Sequence, residues 1–191
     1  MAPGRRARPR DRSDRRAAGS SLVQPSWRNR DDLPAQNSDR PAGPAPGHQA
    51  LILNRGGAVL LVGTTCKSGL TPPGGSAERN ELPHLAARRH IETETGLALP
   101  LARVLAVDYV NMQLLPEGMN FVYWGGRLVP TQEQIVRRHR PPAEIVELRW
   151  ARRAELGGLM EVDQHRRVEH ALDALSRGAH LQMLLRGVPA A

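Results

Sequence analysis

The sequence has a single cysteine, Cys66, a single lysine, Lys67, and few aromatic residues: three tryptophans, two tyrosines and one phenylalanine in 191 positions. One cysteine excludes an intrachain disulfide and fits a reducing compartment. The shortage of aromatics leaves the core to Leu, Val, Ile and Ala. No apolar run approaches the roughly 18 residues that a helical membrane span requires. The arginine-rich start lacks the apolar segment of a secretory signal, and the aspartates scattered through it do not suit an organellar leader. The expectation is a cytoplasmic protein with no membrane partner. Cys66 itself, in a loop and with no catalytic partner nearby in the pattern, reads as a small buried residue.

Positive charge is abundant but unevenly placed. The formal net charge is +8, and residues 1–46 hold ten arginines against five aspartates, which puts +5 of that total in this segment. The segment is rich in Arg, Pro, Ser and Gly, shows no apolar periodicity and closes on Pro41-Ala42-Gly43-Pro44-Ala45-Pro46-Gly47. It reads as a disordered tail and linker, with residues 47–191 forming one domain. A basic tail can touch nucleic acid without specificity, but a solvated leader is the simpler reading, and nucleic acid is not the expected partner.

Ordered pattern begins near His48. Residues 50–53 and 58–62 are apolar strands around Asn54-Arg55-Gly56-Gly57, whose Asn and two glycines suit the positive φ of a tight hairpin. A helix is expected over residues 81–95. Asn80 is its candidate N-cap, Pro83 falls in the first turn, and Gly96 is the stop. Leu82, Leu85, Ala86 and Ile91 are its candidate buried side. Strands follow at residues 102–110 and 120–129, a short helix at 131–138, a strand at 144–151 and a last helix at 162–176. The order β-β-α-β-β-α-β-α predicts an α/β domain with a mixed sheet between helices.

Residues 75–97 read GSAERNELPHLAARRHIETETGL. The spacing of Gly75, Glu81, Arg89, Ile91, Glu94, Gly96 and Leu97 resembles, without insertion or deletion, the Nudix box G-x5-E-x7-R-E-U-x-E-E-x-G-U, where U is aliphatic. The preceding hairpin, the Pro-Gly-Gly approach and the later strand and helix suit the same family over residues 48–187. The resemblance implies a Nudix-type α/β/α sandwich with a mixed central sheet. It also implies metal-dependent attack of water on a nucleoside diphosphate linked to another moiety, with Mg²⁺ or Mn²⁺ as cofactor. A small-molecule nucleotide-diphosphate ligand is the implied partner, and the family allows a homodimer.

Two positions depart from the pattern. His90 stands where a glutamate follows the box arginine, and Thr93 replaces the first of the paired glutamates. Positions 90, 93 and 94 share one helix face, so a face of three carboxylates becomes His-Thr-Glu, with formal charge near −1 instead of −3. Glu92 does not substitute, because it lies about 200° around the helix from His90. The resemblance gives Glu81, Arg89 and Gly96 structural roles and makes Glu94 the surviving catalytic and metal-binding carboxylate. The Gly75 backbone is a further metal ligand. His90 is a candidate ligand that would shift preference toward softer metals accepting imidazole. Glu144 and Glu147 are candidate bases from outside the box, with Asp108 and Glu117 weaker. The aromatics Tyr109, Phe121, Tyr123 and Trp124 are core candidates, one of which could stack on a base. Two readings stay open: a weakened hydrolase, or an inactive Nudix-fold module that binds a nucleotide or phosphate.

Overall fold

The computed structural model describes residues 46–101, 103–112, 115–178 and 181–190. The expected tail falls outside them except for Pro46, as do the side chain of Glu117 and the first residue of the strand expected at 102. Strands β1 (Gly47–Leu53), β2 (Val59–Thr64) and β3 (Gly74–Ser76) precede helix α1 (Pro83–Thr95). Then come β4 (Val104–Met112), β5 (Leu115–Arg127), α2 (Pro130–Arg138), β6 (Ile145–Ala151), α3 (Val162–Arg177), β7 (Gln182–Leu185) and β8 (Val188–Pro189). A single 3-10 turn, Arg153–Gly158, links β6 to α3.

The described strands form one sheet in the order β6-β2-β1-β5-β4-β7-β8, with β3 paired to the free half of β1. β1 runs parallel to β5, and β4 runs parallel to β7, while the other pairs are antiparallel. Helices cover both faces, as expected for an α/β/α sandwich with a mixed sheet. The alternation of β1 explains the layering, since successive side chains point to opposite faces. Ala50 and Ile52 pack with Ala87 and Ile91 of α1 and Val136 of α2. Leu51 and Leu53 pack with Leu156, Val168 and Ala171 on the α3 side. The core is thus aliphatic, as the shortage of aromatics requires.

Several local expectations change. The turn after β1 holds five residues, and only Gly57 among them has positive φ (85°). The Asn54 side chain does the rest by accepting the Ala58 N–H (2.9 Å), so it acts through its amide and not through a left-handed backbone. Helix α1 starts two residues later than expected, with Leu82 at its N-cap and Pro83 at its first position. Asn80 instead adopts φ 62° in the turn before the helix. Leu82 and Leu85 are about half exposed. The helix is rolled so that the small residues Ala86 and Ala87, together with Ile91, Glu94 and Thr95, face the protein. Gly96 stops the helix as expected, with φ 74° and its N–H on the Glu92 carbonyl. Cys66 is exposed, not buried. β3, β7 and β8 have no counterpart in the sequence reading, being two to four residues long.

Candidate functional site

The loop before α1 is held shut by charge. Glu81 Oε2 accepts the Glu78 N–H (2.9 Å), closing the turn in which Asn80 is left-handed. Arg89, two helical turns on, grips the same carboxylate with both arms, Nε to Oε1 (2.9 Å) and Nη2 to Oε2 (2.7 Å). The Arg89 fork, then the Glu78 N–H, hold the Glu81 carboxyl down at about 2, so it stays ionised across the neutral range. A fork–fork pair fixes geometry as well as charge. This arrangement supports the bracing role that the box pattern implies for both residues.

At the other end of the loop, Glu94 is buried on α1 and its Oε2 accepts the Gly74 N–H at 3.0 Å. Gly74 has φ 151°, and a Cβ there would meet the His48 carbonyl oxygen at 2.1 Å, so only glycine fits. Gly75 pairs with His48 across β3 and β1. The His90 ring lies against Gly75, with Cε1, Nδ1 and Nε2 within 2.6–2.9 Å of where a Cβ would stand. His90 Nδ1 is 3.9 Å from Glu94 Oε1. Behind it, the His48 ring is 1% exposed, with its centroid 5.1 Å from that of His90. Neither nitrogen of His48 has a hydrogen-bond partner among the described residues. Burial, then the charges of His90, Arg89 and Lys67, lower its pKa to about 4, against a smaller opposing pull from Glu81. His48 is therefore a neutral imidazole near pH 7. His48 is not among the expected site residues, although a histidine opening an otherwise apolar strand is its signal in the sequence.

The candidates from outside the box lie on other elements. Glu144 is exposed just before β6, where its carbonyl accepts the Thr65 N–H (3.0 Å). Glu147 is exposed on β6, 3.9 Å from Arg149, and borders a cleft of about 490 Å³ between α2 and β6. His48, Gly75, His90 and Glu94 do not line that cleft. Asp108 is fully buried on the α3 side, where Arg167 Nε (2.6 Å) and the Gly187 N–H (3.0 Å) take its two oxygens. Thr93 is exposed, and its carbonyl meets His139 Nε2 at 2.8 Å.

A hard divalent cation wants several oxygen ligands and negative charge. Among the described residues no group of three His, Cys, Asp or Glu side chains stands close enough to hold a metal ion. Glu94 is the single carboxylate of its face, and one of its oxygens is already taken by backbone. These residues do not fit a resident Mg²⁺ or Mn²⁺.

Beside His48 this sheet face is buried at Val107 and partly buried at Phe121, and becomes exposed only further out. Directly paired residues share a face, so His48, Phe121, Val107 and Met183 form one row across β1, β5, β4 and β7. Met119, Tyr109 and Leu185 form the next. Met119, Met183 and Leu185 are each about half exposed. α3 covers the opposite face, where Leu184 is buried. An apolar shelf of half-exposed Met119, Met183 and Leu185, with Phe121 and Tyr109 partly buried, thus lies on the His48 face beyond the buried Val107.

The mixed-sheet sandwich and the braced loop–helix–loop define an α/β/α domain that presents a helix face to a glycine-rich strand end. The NUDIX domain model matches residues 44–172, more than half of the chain, and the chain belongs to the Nudix family. No curated protein matches it. Solved structures show the same fold. A UDP-X diphosphatase is 22% identical, covering 78% of this chain and 70% of its own, with a TM-score of 0.58. The MutT protein from Methanosarcina mazei Go1 is 18% identical, covering 73% and 98%, with a TM-score of 0.56. The NUDIX domain of Shewanella oneidensis NrtR, solved with ADP ribose, is 15% identical, covering 71% and 90%, with a TM-score of 0.55.

Proposed function

We propose that this chain is a Nudix-fold module that binds a nucleoside-diphosphate compound with little or no metal-dependent turnover. One observation carries this reading: Glu94 is the only carboxylate on the His90–Thr93–Glu94 face, and it is anchored to the Gly74 N–H. A divalent metal in this chemistry neutralises phosphate charge and activates water, and a single carboxylate with one oxygen already bonded gives such a metal a weak hold. The ligand class is taken from relatives of the same fold, one solved with ADP ribose and one named a UDP-X diphosphatase. The apolar shelf on the His48 face supports it, because ligand sites pair apolar and aromatic walls with a few polar groups.

The second reading is a weakened hydrolase in which Glu94, the Gly75 backbone and His90 hold a metal and Glu144 or Glu147 acts as base. Survival of the whole Glu81–Arg89 brace favours it. A phosphate-release screen of the full chain against nucleoside-diphosphate compounds decides, run with Mg²⁺, Mn²⁺ and Zn²⁺ separately and with thermal shift in parallel. The expected result is ligand-induced stabilisation without turnover. Turnover that disappears in Glu94→Gln would replace the binding reading with the hydrolase.

A further inference from the structure

We infer that His90 takes the place of the divalent cation, so that phosphate recognition at this site is independent of metal. This rests on the binding reading above. Three contacts point to it. The His90 ring fills the space beside the Gly75 backbone that glycine leaves open. Its Nδ1 stands 3.9 Å from Glu94 Oε1, the carboxylate oxygen that the Gly74 N–H does not take. His48, buried and without a polar partner among the described residues, lies behind the ring on the β1 side with the two centroids 5.1 Å apart.

The chemistry is consistent with that placement. A phosphate next to a bare carboxylate is repelled, and in a cation-dependent site the metal removes that repulsion. Here two of the three carboxylates are gone, which removes most of the repulsion without a metal. An imidazole N–H can then donate directly to a phosphate oxygen. His48 acts here as a positioning residue, through His90.

The test is calorimetric titration of the full chain with ADP and with inorganic pyrophosphate, in a chelator and again in Mg²⁺. Equal affinity in both conditions is expected. His90→Ala should weaken pyrophosphate binding by about tenfold or more, the usual loss for a hydrogen bond to a charged group. Circular dichroism checks that this variant is folded. As a second arm, His90→Glu with Thr93→Glu should gain Mn²⁺ binding by paramagnetic resonance, which the unmodified chain should lack. Binding that needs Mg²⁺ overturns the inference and leaves the binding reading standing. Undiminished affinity in folded His90→Ala overturns it as well. No binding of either compound in any condition overturns the binding reading and this inference with it.

Discussion

Gly75 and His90 interlock: the imidazole occupies the volume into which any side chain at position 75 would project, with Cε1 2.6 Å from the ideal Cβ position. The glycine that the box pattern places here for backbone approach is, in this chain, also the seat of a side chain. Gly75→Ala should therefore push His90 out of place and cost about 1–3 kcal/mol, the range for overpacking. In a His90→Ala background the same change should cost much less. A double-mutant cycle by urea denaturation measures the coupling. Additive costs would mean that the two residues do not press on each other.

His48 gives the domain a pH dependence of defined sign. Its folded pKa, about 4, lies below the ordinary value of 6.5. The unfolded chain therefore binds more protons between those values, and stability falls as pH drops through that window, by up to about 1.4 kcal/mol per pH unit. Above 6.5 the term is flat. His48→Leu should remove this component and, because neither ring nitrogen has a partner to lose among the described residues, should be neutral or stabilising at pH 7. Denaturation midpoints of both proteins from pH 7 to pH 4 check it. Parallel curves would show that His48 titrates normally.

Asp108 supports the fold and stands apart from the site. Both of its oxygens are committed, to Arg167 and to the Gly187 N–H, and Arg167 reaches on to Gln164 (2.5 Å). Asp108→Ala strands a buried guanidinium and should cost about 3–5 kcal/mol, whereas adding Arg167→Met should recover most of that loss. Where the single variant stays folded, its affinity for ADP should match that of the unmodified chain. A selective loss of affinity at full stability would instead move Asp108 into the site.

Long-range order was readable in this sequence because period and spacing carry it. The strand–loop–helix register of residues 75–97 fixed Glu81, Arg89, Glu94 and Gly96 relative to one another, and the structure brings the first two together as expected. Tertiary context decided the rest. Leu82 and Leu85 look like a buried stripe, yet the helix turns the small Ala86 and Ala87 inward, Ala87 against Ala50 and Ile52 of β1. Asn80 has the chemistry of a cap, but the Glu81 carboxylate already closes that turn onto Glu78. β7 and β8 are too short to show a period and exist because β4 offers β7 an edge and β7 in turn offers one to β8. The partnership of His48 with His90 could not be read at all, since pairing of β1 with β3, which sets His48 opposite Gly75, depends on a three-residue strand.

The apolar shelf gives a prediction that separates the two ends of a ligand. Met183 is about half exposed, on the row that also holds His48, Phe121 and Val107. Its replacement by serine should change stability little, because surface positions seldom contribute more than about 0.5 kcal/mol. If the base of a nucleotide rests on this shelf while its phosphates face His90, Met183→Ser should weaken ADP by about threefold to tenfold, the loss of roughly one apolar contact. Pyrophosphate, which has no base, should bind as before. Glu144→Gln and Glu147→Gln, which lie toward the β6 edge, should leave both ligands unaffected. Equal weakening of ADP and pyrophosphate by Met183→Ser would point to a general distortion of the site, and no effect on either would place the base elsewhere, with the α2–β6 cleft beside Glu147 the next surface to test.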